Sequence, residues 1–351
     1  MKDSTRNHAP CAICRIRPAD KTNSHLIPSF FTAMISSVDN SYKREKELLY
    51  TINEYITTTY VGRAVREEEL LRSFDSVSDE RLDMMKHNTD SRDYIFCPHC
   101  ERKLGDYLES PWHDHLFNKR NIEPTTAYFF WVSLLWRISA FEVMNFKLPT
   151  HIEEALRKRL NAFIQAKDRK SDTSKLMNKL PFSYKVLYCE DFSKHHEGMI
   201  YGEYDHKSKI VSLILGDVVA CFSFNKHKTF DRFSFYSLES KFSEAPVNDG
   251  SSHETVLIID ADVLNAFNSK LIPKIQSIRL KGDRKRILDL WNLAINKLDM
   301  PLPPKPSEPF IQFVIKQLYD ETVKSGEKTT HEYFAKCFGL GLARFYNIHL
   351  Q

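Results

Sequence analysis

Hydrophobic positions change period twice along this chain. From Pro124 to about Lys167 they recur at helical spacing. The run from Thr126 to Phe146 is apolar almost all round, and HIEEALRKRLNAFIQA after Pro149 is amphipathic. Asp168 to Lys179 is polar and reads as a loop. The pattern then shortens. Tyr184–Cys189, Met199–Tyr204, Ile210–Leu215 and Val218–Phe224 are brief runs of Val, Ile, Tyr and Phe, the signature of strands. Gly216–Asp217 fits a hairpin turn between the last two, and Thr255–Ile259 reads as a further buried strand. Beyond Asp260 the helical period returns, broken by MPLPPKPSEP at Met300–Pro309, a rigid connector, with a last helix over Pro309–Ser325. Upstream of Pro124, Tyr42–Tyr60 and Glu67–Lys86 read as helical, the first carrying Leu48, Leu49, Ile52, Tyr55 and Ile56, with His87–Arg92 as a loop.

These elements predict an α+β protein in three regions: residues 1–124, a polar N-terminal module with a helical insertion; 125–179, a helical middle; and 180–351, a mixed strand and helix region. At 351 residues, 42% hydrophobic and 27% charged, the chain can bury a core unaided, which excludes disordered, collagen-like and disulfide-framework classes. Arg137 and Glu142 interrupt the apolar run at 126–146, so a core helix is expected there and not a membrane span. The polar start MKDSTRNHAP has no apolar segment behind it, and a soluble, cytoplasmic protein is expected. No Walker motif, dinucleotide fingerprint or nucleophile elbow is present, and the glycines of CFGLGLARFY do not form a phosphate loop.

In a reducing compartment, closely spaced cysteines mean metal more often than disulfide. Seven are present. Cys11-Ala-Ile-Cys14 and Cys97-Pro-His-Cys100 are two C-x2-C knuckles, and four thiolates in a tetrahedron are what structural Zn²⁺ prefers. Their wide separation requires the intervening segment to loop out, at an entropic cost that grows slowly with length. Cys189, Cys221 and Cys337 sit singly in apolar runs and read as core residues.

After the first knuckle comes Asn23-Ser24-His25-Leu26-Ile27-Pro28. Together, CAIC…SHLIPSFF…FCPHCE resembles the ββα-metal, or HNH-like, nuclease family, and within it a bacterial zinc-binding group with a Ser-His-Ile-Ile-Pro-Lys-Phe type motif. The helix containing WVSLLWRISAFE is similar to the one found after the second knuckle in that group, and the resemblance covers roughly the first 165 residues. It implies a zinc-stapled ββα-like module and metal-dependent cleavage of DNA or RNA. His25 then matches the catalytic histidine, whose imidazole suits a general base. Glu101, directly after Cys100, takes the position of a metal-binding helix residue, where a carboxylate would hold Mg²⁺ or Mn²⁺. Ser24 departs from the pattern, since many active members carry Asp or Glu there, and metal would depend on Glu101 with Asp106, Glu109 or Asn118. The alternative is a catalytically inactive zinc module that binds nucleic acid or a protein within a larger complex. Proteins of this group often sit in phage-defence settings, which implies a defence role with a protein partner.

Weaker signals remain. Arg279, Lys281, Arg284, Lys285 and Arg286 form a basic run suited to phosphate contact. His113 and His115 in WHDH, and His195-His196, offer metal-ligand atoms. Asp260 and Asp262 follow a strand, where Asp262 reads more simply as a helix cap.

Overall fold

The computed structural model describes residues 9–36, 51–52, 57–58, 91–143, 147–177, 181–196, 198–225, 229–230, 235–298, 302–325 and 331–348. The protein is α+β, and the chain clusters into two units: residues 1–43 with 87–267, and residues 44–86 with 268–351. The limits expected at 124 and 179 both fall inside the first unit.

The first unit is built on one buried helix. Strand β1 (Ser24–His25) and helix α1 (Ser29–Ser36) open it, followed by β2 (Ser91–Arg92), α2 (Pro98–Leu104), a π-helical turn over Gly105–Glu109 and α3 (Ser110–Phe117). Helix α4 (Pro124–Phe141) comes next, with proline in its first turn, where a missing N–H costs nothing, and left-handed Glu142 (φ 52°) as its stop. Every residue of α4 from Thr126 to Ser139 is buried. Trp112 of α3 stacks on Phe130 at 4.3 Å. Phe129 stacks on Phe163 of α5 (Thr150–Asp168) at 4.5 Å. Trp131 meets Phe222 of the sheet at 5.1 Å. An all-round apolar helix is thus covered on every side, as its sequence requires. Among the described residues no helix is long and apolar enough to cross a membrane.

The sheet holds β3 (Ser183–Tyr188), β4 (Ile200–Asp205), β5 (Ile210–Leu215), β6 (Val218–Ser223) and β7 (Val256–Ile258), in the order β4-β5-β6-β3-β7. All neighbours are antiparallel except β3 and β7. The β5–β6 hairpin turns at Gly216, whose φ of +64° only glycine adopts without cost, and a Cβ there would meet Met34 Sδ of α1 at 2.6 Å. Two short helices, α6 (Phe192–His195) and α7 (Glu239–Glu244), fill the connections.

Three expectations differ from this structure. Residues 255–259 do not form a buried strand: β7 is a three-residue edge strand whose Ile258 is 62% exposed. Ser91–Arg92 is a strand and not a loop. Within the segment read as helical at 42–60, Thr51–Ile52 and Thr57–Thr58 pair as antiparallel strands, as β-branched residues favour. The rest of that segment, and all of 67–86, lies outside the described residues.

The second unit is helical where it is described beyond that pair. Helix α8 (Ala261–Leu298) begins in the first unit and continues into this one, followed by α9 (Glu308–Ser325) and α10 (His331–Tyr346). Its core gathers Trp291, Phe310, Val314, Phe338 and Leu342. The proline connector closes on it through the Trp291 indole, which donates to the Pro303 carbonyl at 3.0 Å.

Candidate metal centre and histidine strand

Both knuckles are shaped by their own backbone before any metal is considered. Around the first, Cys11 N–H donates to Arg17 O and Arg15 N–H to Cys11 O, each at 2.8 Å, with Arg15 in the left-handed region at φ 56°. At the second, Cys97 caps α2, its Sγ accepting from Cys100 N–H at 3.4 Å, with Pro98 in the first turn. The two loops are clipped together by Ala12 N–H to Ile95 O at 2.9 Å and Lys21 N–H to Phe96 O at 3.0 Å.

This brings Cys11, Cys14, Cys97 and Cys100 together with all Sγ atoms within 4.8 Å of one another. A Zn–S bond of about 2.3 Å implies sulfurs about 3.8 Å apart in a tetrahedron, a spacing within the span of this group, which could therefore hold an ion. The donor set fits zinc: four soft sulfurs, three of them buried. Without a counter-charge such a site resists four thiolates. Burial raises the Cys97 thiol, while a hydrogen bond from Cys100 holds Cys11 low and correspondingly raises Cys100. A divalent cation held there would resolve that conflict by ionising the whole set. His99 is not part of it; its Nε2 lies 2.9 Å from Asp168, which also pairs with Lys103 and accepts from Tyr107. Cys189, Cys221 and Cys337 are buried singly, as expected.

The histidine lies on the neighbouring strand. β1 pairs antiparallel with β2, Ser24 opposite Arg92 and His25 opposite Ser91, and β2 leads within a few residues into α2. Ser24 is fully buried and His25 partly so. Glu101, in the first turn of α2, faces the same place. Burial raises its pKa, against the Arg137 charge and the Ser24 hydroxyl, which lower it, and Glu109, which raises it further. Glu101 Oε2 is buried with no hydrogen-bond partner.

Of the other ligands expected beside Glu101, two are engaged with other side chains and one is exposed. Glu109 Oε1 sits 2.7 Å from Arg137 Nη1. Asn118 donates to Asp114 at 2.8 Å, and Asp106 is exposed. Among the described residues, the four cysteines are the one cluster of three or more His, Cys, Asp or Glu that could hold an ion.

The weaker candidates resolve as ordinary contacts. His113 packs on the rings of Phe30 and Phe117, and His115 reaches the Arg120 carbonyl at 2.8 Å and approaches buried Glu254. His196 stacks on Phe192 and pairs with Asn265. Asp260 immediately precedes α8, and its carbonyl accepts from Val263 N–H, placing Asp262 in the first turn. In the basic run, Arg284 forks onto Glu308 at 2.6 and 2.7 Å, and Arg286 is buried over the Phe334 ring at 4.5 Å. Lys281 and Lys285 are exposed, while the side chain of Arg279 lies outside the described ones.

Arg137 and Glu254 carry no motif, yet both organise the interior. A signal existed for the first: a lone arginine within an apolar helix must find a partner to be buried. The chain matches no family model, no curated protein and no solved structure.

Proposed function

We propose that this protein cleaves phosphodiester bonds of DNA or RNA in the manner of an HNH-like nuclease, with zinc as staple and a second divalent cation at the reacting centre. The observation that carries this reading is the order of β1, β2 and α2. The strand bearing His25 pairs with the strand that leads into the helix bearing Glu101, and the four cysteines clamp the base of that unit.

In this reading His25 takes the proton from an attacking water, and the fold holds its strand against β2. Bound Mg²⁺ or Mn²⁺ would stabilise the negative charge that develops on the phosphate and the leaving oxygen. Such hard cations are held by one or two carboxylates with water completing the shell, and the unpartnered buried oxygen of Glu101 fits that role. Cys11, Cys14, Cys97 and Cys100 hold zinc and take no part in proton transfer. The exposed Lys281 and Lys285 of α8 offer salt-dependent phosphate contacts. The family resemblance extends the proposal to a cytoplasmic phage-defence effector acting with a protein partner.

A second reading is favoured by one specific contact. Glu109 is committed to Arg137, and a serine hydroxyl stands at position 24, which leaves Glu101, with its unpartnered Oε2, as the carboxylate on which a metal would depend. In that reading the module binds nucleic acid or a partner protein without cutting.

The deciding experiment incubates supercoiled DNA and single-stranded RNA with purified protein and Mg²⁺ or Mn²⁺, comparing wild type with His25→Ala at equal zinc content. Cutting by wild type alone supports the nuclease. Equal cutting by both removes His25 from the mechanism, and absence of cutting by either supports the binding module.

A further inference from the structure

We infer that Arg137 is the positioning residue for His25, an assignment that rests on the nuclease reading only for its effect on rate. Arg137 sits in α4 with 1% exposure. Taking a guanidinium out of water costs several kcal/mol unless its donors are matched; Nε and Nη2 are buried with no hydrogen-bond partner, so Nη1 carries the hydrogen bonds of the group. Nη1 meets two acceptors, Glu109 Oε1 at 2.7 Å and the main-chain oxygen of His25 at 2.9 Å. The second acceptor is 112 residues away in sequence and belongs to the strand whose side chain the proposed chemistry needs.

That strand requires outside support. A pair of two-residue strands closes too few ladder bonds to hold its own register, and a slip of one residue would turn the His25 side chain to the opposite face. Helix α4 supplies the missing constraint at both strands. Arg137 donates to His25 O on β1, while on β2 the Arg92 guanidinium donates to Phe141 O, at the end of the same helix, at 2.8 Å. Glu109 completes the arrangement by fixing Arg137 from the turn after α2. The strand pair is thus referenced to the buried central helix of the unit, and the direction of the His25 side chain is set by its backbone.

The test compares Arg137→Met, Arg137→Lys and Glu109→Gln with wild type by three readouts. These are zinc content, the rate at which diethyl pyrocarbonate modifies His25 (followed by mass spectrometry), and cleavage kinetics. Arg137→Met is expected to keep its zinc, to modify several-fold faster at His25, and to lose on the order of 10²-fold in kcat with little change in KM, the scale of a small misplacement of a reacting group. Arg137→Lys, which keeps a donor, should recover part of both changes. A folded, zinc-loaded Arg137→Met with unchanged His25 modification overturns the assignment. Should Arg137→Met fail to fold, Glu109→Gln decides by the same readouts, since it loosens the guanidinium without emptying its space. If wild type cuts nothing, the nuclease reading fails by itself, and the modification rate still decides whether Arg137 positions His25.

Discussion

The indole N–H of Trp131 donates to Glu254 Oε2 at 2.7 Å, from the middle of α4 to a residue 123 positions later. Trp112 of α3 donates to the other oxygen, Oε1, at 3.0 Å, so one carboxylate with a fully buried side chain satisfies two indoles. His115 Nε2 stands 3.8 Å away. Removing the acceptor in Glu254→Ala strands both donors, at about 1–3 kcal/mol each. Urea unfolding should therefore show a loss of about 2–6 kcal/mol, and a loss below about 1 kcal/mol would show that the indoles find other partners.

The same carboxylate makes a pH prediction. Burial is the largest influence on Glu254 and raises its pKa, outweighing Trp131, Tyr184, His115 and Trp112. The folded state therefore holds the proton more tightly than the unfolded chain, whose glutamates titrate near about 4.3. Stability from this group is complete below that value and declines as pH rises through the folded pKa. Glu254→Gln should flatten the fall in denaturation midpoint above about pH 4.3 relative to wild type.

Glu154 behaves in the opposite sense. Hydrogen bonds from Arg157 are the main cause of its pKa falling to about 2, with burial opposing and the charges of Arg157 and Arg15 assisting. Arg157 also donates to Ile13 O at 2.7 Å and Arg15 pairs with Glu154 at 2.8 Å, which ties the first knuckle to α5. Stability from a lowered carboxylate is present above its unfolded pKa and is lost as pH falls from about 4.3 toward about 2. Thermal melts of Glu154→Gln should decline less steeply than wild type over that window, with only a modest difference at neutral pH because the pair is partly solvated.

For the cysteine cluster, Cys97→Ser removes a sulfur while leaving a hydroxyl that can still cap α2, so the loss it reports is that of the ligand. Elemental analysis should find zinc in wild type at one ion per chain and little in the variant. Binding energy of roughly 10 kcal/mol for structural zinc sites is folding energy, so circular dichroism should show the first unit melting far earlier. Wild type purified without zinc would remove the staple from every reading above.

Gly341 sets two local rules against each other. It lies inside α10, where alanine is favoured by up to about 1 kcal/mol. A Cβ there would stand 2.7 Å from Phe310 Cε2 and 2.8 Å from Val314 Cγ2, and overpacking costs about 1–3 kcal/mol. Packing should win, and Gly341→Ala should lower the unfolding midpoint; a rise would show that α9 can yield.

Period and spacing alone determined much of this protein. Helix α5, the strand at Ile210–Leu215, the turn at Gly216 and the grouping of four cysteines were all legible, because each is written in neighbouring residues or in a paired spacing that suits a metal ion. Tertiary structure decided the rest. Two-residue strands such as Ser24–His25 and Ser91–Arg92 are too short to carry a period, and they exist because distant segments meet. The exposure of Ile258 arises because β7 takes the edge of the sheet, a place no local run of apolar residues encodes. Arg137 and Glu254 are the sharpest cases. A charged side chain reads as surface in any window of sequence, and the partners that replace water around it come from elsewhere in the chain. For Arg137 those are Glu109 and the His25 carbonyl, and for Glu254 the indoles of Trp112 and Trp131.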